Sequence, residues 1–79
     1  MDKLEFIKNF TEQFDETEES LILAHTDFKS LEEWSSLVAL SVIAMVDDIY
    51  EVEIGAKEIV KCDTIEELFD LVKSLKQNE

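Results

Sequence analysis

The stretch Trp34-Ser35-Ser36-Leu37 opens an apolar run, Val38-Ala39-Leu40-Ser41-Val42-Ile43-Ala44-Met45-Val46. This run constrains the fold more than any other part of the chain. It is too short to cross a bilayer, which takes about 20 consecutive apolar residues. It is apolar around most of its circumference, and such a helix is expected to be buried on most sides. The expected fold is therefore all-α. A small bundle of three main helices and one short helix would enclose the run in its central member, with a long loop between the first and second helices.

The remaining segments fit that outline. Leu4, Ile7, Phe10 and Phe14 recur at three- and four-residue steps and predict a first helix over residues 3–14, its apolar face widened by Phe6. Asp2 is the expected N-cap. Residues 15–33 begin with the acidic run Asp15-Glu16-Thr17-Glu18-Glu19-Ser20, and their apolar residues (Leu21, Ile22, Leu23, Phe28, Leu31) hold no sustained period. They read as a long loop anchored to the core at several points, a length that suggests a functional role. The central helix is expected over residues 36–50, capped by Ser35 or Ser36. Val52 and Ile54 alternate like a strand, but no second strand is there to pair with, so a loop and a short helix near 56–60 are expected. Thr64-Ile65-Glu66-Glu67 fits a capping box, with Glu67 reaching back to the cap. Ile65, Leu68, Phe69, Val72 and Leu75 then line one face of a last helix. Lys73 and Lys76 suit its C-terminal end, and Gln77-Asn78-Glu79 is expected to fray. With 79 residues and no repeat or linker, residues 1–79 read as a single domain.

Charge narrows the function. Twenty Asp and Glu against seven Lys, with no arginine, give a formal net charge of −13. Nucleic acids and anionic membrane surfaces are poor partners for such a chain, whereas a protein with a basic patch would be steered towards it. The acids Asp47, Asp48, Glu51 and Glu53 gather at the C-terminal end of the central helix, where the helix dipole disfavours them. That small cost points to a use for the charge. Cys62 and His25 are the only cysteine and histidine, so no metal site and no catalytic triad is expected. The protein reads as a cytoplasmic, monomeric non-enzyme. Cys62 reads as a small buried filler.

A serine at a helix N-terminus sits beside free backbone N–H groups and the positive end of the dipole, a setting that accepts a phosphate. By the residues alone, the favoured reading of Ser35 and Ser36 is that they are plain caps. The motif and its surroundings, however, resemble the acyl carrier proteins and their peptidyl carrier relatives. Trp34-Ser35-Ser36-Leu37 and the apolar helix are similar to that family's modification segment, in which an Asp-Ser-Leu serine carries 4′-phosphopantetheine through a phosphodiester. Tyr50-Glu51-Val52-Glu53-Ile54 resembles its aromatic-acidic segment. Cys62-Asp63-Thr64-Ile65 resembles the lead-in to its last helix, and Glu32-Glu33-Trp34 a branch of stand-alone carriers. Ser35 stands where the family has aspartate.

The resemblance implies that Ser36 holds acyl or aminoacyl intermediates as thioesters on the cofactor arm, for fatty acid or secondary metabolite biosynthesis. It implies as partners a phosphopantetheinyl transferase, a loading ligase, and an acyltransferase or synthase with a basic docking patch. Leu37, Val38, Asp47, Asp48, Glu51 and Glu53 would form the docking face. Ile43, Val46, Ile54, Ile59 and Leu68 would line a cavity for an acyl chain, although each is also an ordinary core residue. The alternative is an unmodified acidic module of the same fold that acts only as a protein–protein adaptor.

Overall fold

The computed structural model describes residues 2–77, and among them the protein is an all-α bundle with no β-strand. Four helices follow in order: α1 (Lys3–Thr11), α2 (Ser36–Tyr50), α3 (Ala56–Lys61) and α4 (Ile65–Gln77). Two single-turn 3-10 segments, Glu19–Leu21 and Phe28–Ser30, lie in the loop between α1 and α2. Asn78 and Glu79, expected to fray, fall outside the described residues.

Asp2 caps α1 by accepting from the Leu4 N–H at 3.0 Å. The helix buries Phe6 and Phe10, one turn apart, while Leu4 is 78% exposed. This corrects the expected face: Phe6 and Phe10 define it, and Leu4, two positions before Phe6, points away from it. The helix also ends at Thr11, earlier than residue 14. Phe14 still reaches the core, from a turn closed by the Phe14 N–H on the Thr11 carbonyl at 3.0 Å.

In α2 the buried residues are Val38, Val42, Met45, Val46 and Tyr50, a single stripe at helical spacing. Leu37 (73%), Leu40 (62%) and Ile49 (47%) are exposed. The expectation of burial on most sides is thereby overturned. A chain this small has too little surface to cover a central helix all round.

Short α3 begins after Gly55, whose N–H donates to the Glu58 carboxylate at 2.7 Å. At the start of α4 the Thr64 hydroxyl accepts from the Glu67 N–H at 3.1 Å. The return arm of the expected capping box differs by one residue, because the Glu67 carboxylate accepts from the Asp63 N–H at 3.0 Å. Ile65, Leu68, Phe69 and Val72 are buried, and Leu71 and Leu75 pack at the edge of the core.

Two aromatic groups organise that core. Phe6 lies 5.5 Å from both Tyr50 and Phe69, joining α1, α2 and α4. Phe10, Phe14, Trp34 and Phe28 form a closed ring of neighbours, with successive centroid distances of 5.5, 6.3, 4.9 and 5.4 Å. Each such pair adds about 0.5–1.5 kcal/mol beyond the area it buries. The second group ties α1, the long loop and the start of α2 together. Ile22 and Phe28 anchor the loop in the core as expected, while Leu21 and Leu23 stay exposed. The loop also docks on α4, through the Glu66 N–H on the Ala24 carbonyl at 2.9 Å and an isolated antiparallel bridge between Asp27 and Thr64.

Candidate functional site at the start of the central helix

The segment leading into α2 is held residue by residue. Glu33 comes first. Its carboxylate accepts from the backbone N–H groups of Asp15 (2.6 Å), Glu16 (3.0 Å) and Thr17 (2.8 Å), and from the Thr17 hydroxyl (2.7 Å). The Thr17 hydroxyl, then the backbone donors, hold its carboxyl below the ordinary range against a desolvation that pushes the other way. Because the carboxylate form is the one held in the fold, the clamp is complete at neutral pH. Its contribution to stability is full above the ordinary carboxylate range and is lost progressively as pH falls from there through that lowered pKa.

Trp34 is next. Its N–H donates to the Leu31 carbonyl at 3.0 Å and its ring packs edge-on against Phe28. Ser35 then supplies the cap: its hydroxyl accepts from the Val38 N–H at 3.2 Å, with extended backbone at φ −157°. Ser36 follows as the first residue of α2, and it is exposed. The two serines thus divide their work. Ser35 takes the cap, and the Ser36 side chain is left to solvent.

Beside Ser36 lies an open groove of about 400 Å³. Its walls are Trp34, Ser35, Ser36 and Ala39 on one side and Ala56, Ile59 and Val60 on the other, with Lys29 contributing from the loop. Lys29 is the one cation between Lys8 and Lys57 in the sequence. It donates to the Val60 carbonyl at 2.9 Å and pairs with Asp63 at 3.4 Å, which straps the loop to α3.

The expected docking residues separate. Leu37 is exposed beside Ser36, but Val38 is only 9% exposed and turns into the core. Val38 is therefore corrected from a surface contact to a core residue, because it shares the inward stripe with Val42. Leu40, one turn beyond Leu37, takes its place on the exposed face. Asp47, Asp48, Glu51 and Glu53 are all exposed at or beyond the last turn of α2. Asp47, Glu51 and Glu53 share one surface groove with Val52 and Leu75, whereas Asp48 borders another with Ser41, Ala44 and Ile49. Glu51 itself adopts a left-handed backbone, φ 58°, and closes α2 by donating its N–H to the Asp47 carbonyl at 3.1 Å. The acids at this end are answered in part by Lys76 of α4, whose ammonium donates to the Tyr50 carbonyl at 2.9 Å.

Among the expected cavity residues, Val46, Ile54, Ile59 and Leu68 are buried and Ile43 packs at the core's edge. Ile59 also lines the groove beside Ser36; the other four are core packing. Cys62 is 4% exposed, and burial pushes its thiol up, which keeps it protonated. His25 is exposed in the loop. Among the described residues no cluster of His, Cys, Asp or Glu is placed to hold a metal ion, and no helix is long and apolar enough to cross a membrane.

The Glu33 clamp, Leu40, Val60 and the Lys29 strap were not singled out from sequence. Only Lys29 carried a signal there, as a lone cation in a long acidic stretch. Comparison with protein-family models, with curated proteins and with solved structures found no match to this chain.

Proposed function

We propose that this chain is a carrier protein. In this reading acyl or aminoacyl intermediates are held as thioesters on a 4′-phosphopantetheine arm attached at Ser36 and are delivered to partner enzymes. The observation that carries it is the division of labour at the start of α2, where Ser35 makes the cap and Ser36, the next residue, is exposed.

The residues present fit such a group. A phosphodiester at Ser36 would sit over the first turn of a 15-residue helix, where the dipole and free N–H groups favour negative charge. The groove between Ala39 and Ile59 gives an arm room to lie against the protein. The group, when bound, supplies an accessible thiol that forms the thioester, whereas the chain's own thiol, Cys62, is buried. The chain's own part is to present Ser36 and to offer partners a face. Leu37 and Leu40 give that face an apolar end, and Asp47, Asp48, Glu51 and Glu53 give it an acidic end for basic patches. The partners of this reading are a phosphopantetheinyl transferase, a loading ligase, and an acyltransferase or synthase.

One observation favours a second reading, an unmodified adaptor: Ser35 makes the cap without the carboxylate that carriers place there. Coexpression with a broad-specificity transferase decides between them. The carrier reading expects the intact mass to rise by one phosphopantetheinyl group, and Ser36→Ala to abolish the rise. The adaptor reading expects no rise with any transferase, and loss of partner binding in the double variant Asp47→Lys, Asp48→Lys.

A further inference from the structure

Three consecutive residues lead up to Ser36, and each is fixed by a different force. Glu33 is held by four hydrogen bonds of 2.6–3.0 Å, Trp34 by the aromatic ring, and Ser35 by its cap bond. Ser35 and Ser36 are both exposed, but the Ser36 hydroxyl makes no hydrogen bond among the described residues. The donors to Glu33 lie 16–18 residues earlier in the chain, so the clamp closes a long loop onto the doorstep of α2. The tie is made by a carboxylate that its hydrogen bonds hold in the charged form, although Glu16, Glu18 and Glu32 line the same surface groove.

We infer that Glu33 is a positioning residue for Ser36: by clamping the backbone of residues 15–17 it stiffens the segment 33–35 and fixes the backbone position from which the Ser36 hydroxyl projects towards the enzyme that modifies it. The inference rests on the reading of Ser36 as an attachment point. A serine already ordered costs its partner enzyme less ordering entropy on docking, so loosening it raises KM more than it lowers kcat. The residue acts through Trp34 and Ser35 and touches no reacting atom.

The test uses the full chain as wild type, Glu33→Gln, the milder Thr17→Val, and Glu32→Gln as a charge-matched control. Glu33→Gln keeps the oxygen that faces Glu16 and Thr17 but turns an amide group towards the Asp15 N–H, which therefore loses its acceptor. Amide hydrogen exchange by NMR should show Asp15 exchanging about five- to tenfold faster, the worth of roughly one hydrogen bond. The Val38 amide, bonded to Ser35, should follow to a smaller degree. Transfer of the phosphopantetheinyl group from coenzyme A to Ser36 Oγ releases the nucleotide half of coenzyme A and the serine proton. For this transfer KM should rise roughly tenfold in Glu33→Gln with kcat within about twofold, and less in Thr17→Val. Glu32→Gln should change neither readout. Two results overturn the inference: an unchanged KM where the Asp15 amide has opened, or an equal rise in KM for Glu32→Gln. A wild-type chain that no transferase modifies, with the exchange pattern as expected, rejects the attachment reading itself and leaves a clamp with nothing to position.

Discussion

At its first turn α2 is capped by the uncharged hydroxyl of Ser35, carries no acid, and rests on Trp34, which is packed among Phe28, Phe14 and, through them, Phe10. At its last turn it carries Asp47 and Asp48 against the helix dipole and ends on Glu51 in a left-handed backbone that glycine would adopt without strain. The first end is built for rigidity and the second tolerates small local costs. On the carrier reading proposed above, Ser36 would gain from a fixed backbone, whereas a surface charge acts over several ångströms and needs none. The costs at the acidic end are partly met from elsewhere, by Lys76 on the Tyr50 carbonyl.

Three substitutions bear on this contrast. The largest effect is expected from Phe28→Ala, which empties the fully buried centre beneath the first end and should destabilise the protein by about 3–5 kcal/mol in chemical denaturation. A loss below about 1 kcal/mol would mean that the aromatic ring does not bear on the fold, and the contrast would fail. Ser35→Ala removes the cap and should cost about 1 kcal/mol by the same measurement, with α2 fraying at its start in amide exchange. At the other end Glu51→Gly should stabilise the protein by a few tenths to about 1 kcal/mol, since it relieves the left-handed strain and removes an unfavourable charge. On the proposed docking role, the same change should also weaken binding to a basic partner, a trade of affinity for stability. If Glu51→Gly proved destabilising, the second end would be as tightly built as the first.

The legible parts of the sequence were those whose signals lie within one or two turns. The boundaries of α2 at Ser36 and Tyr50, the start of α4 after Thr64, and the apolar face of Ile65, Leu68, Phe69 and Val72 all follow from periodicity and capping. The Asp2 cap and the burial of Cys62 were equally readable, whereas Ile22 could not be told from its exposed neighbours Leu21 and Leu23. Leu4 failed because its spacing to Ile7 is as good as that of Phe6 to Phe10, and only the larger aromatic pair decides which face turns inward. Val38 failed for a similar reason: an apolar run has no polar residues to mark its outer side, so its inward stripe is chosen by the neighbours that cover it.

The sequence by itself determined the helices, their order, the long anchored loop between the first two, and a serine pair at the head of the central helix. These depend on local spacing, cap chemistry and the absence of proline, all of which act between near neighbours in the chain. Tertiary structure alone decided that Ser35 and not Ser36 is the cap, that Leu40 is outward and Val38 inward, and that Glu33 reaches back to residues 15–17. Those outcomes turn on contacts between distant segments and on which surfaces a small bundle leaves uncovered. Nothing within a few residues of either serine distinguishes the one that holds the helix from the one that faces solvent.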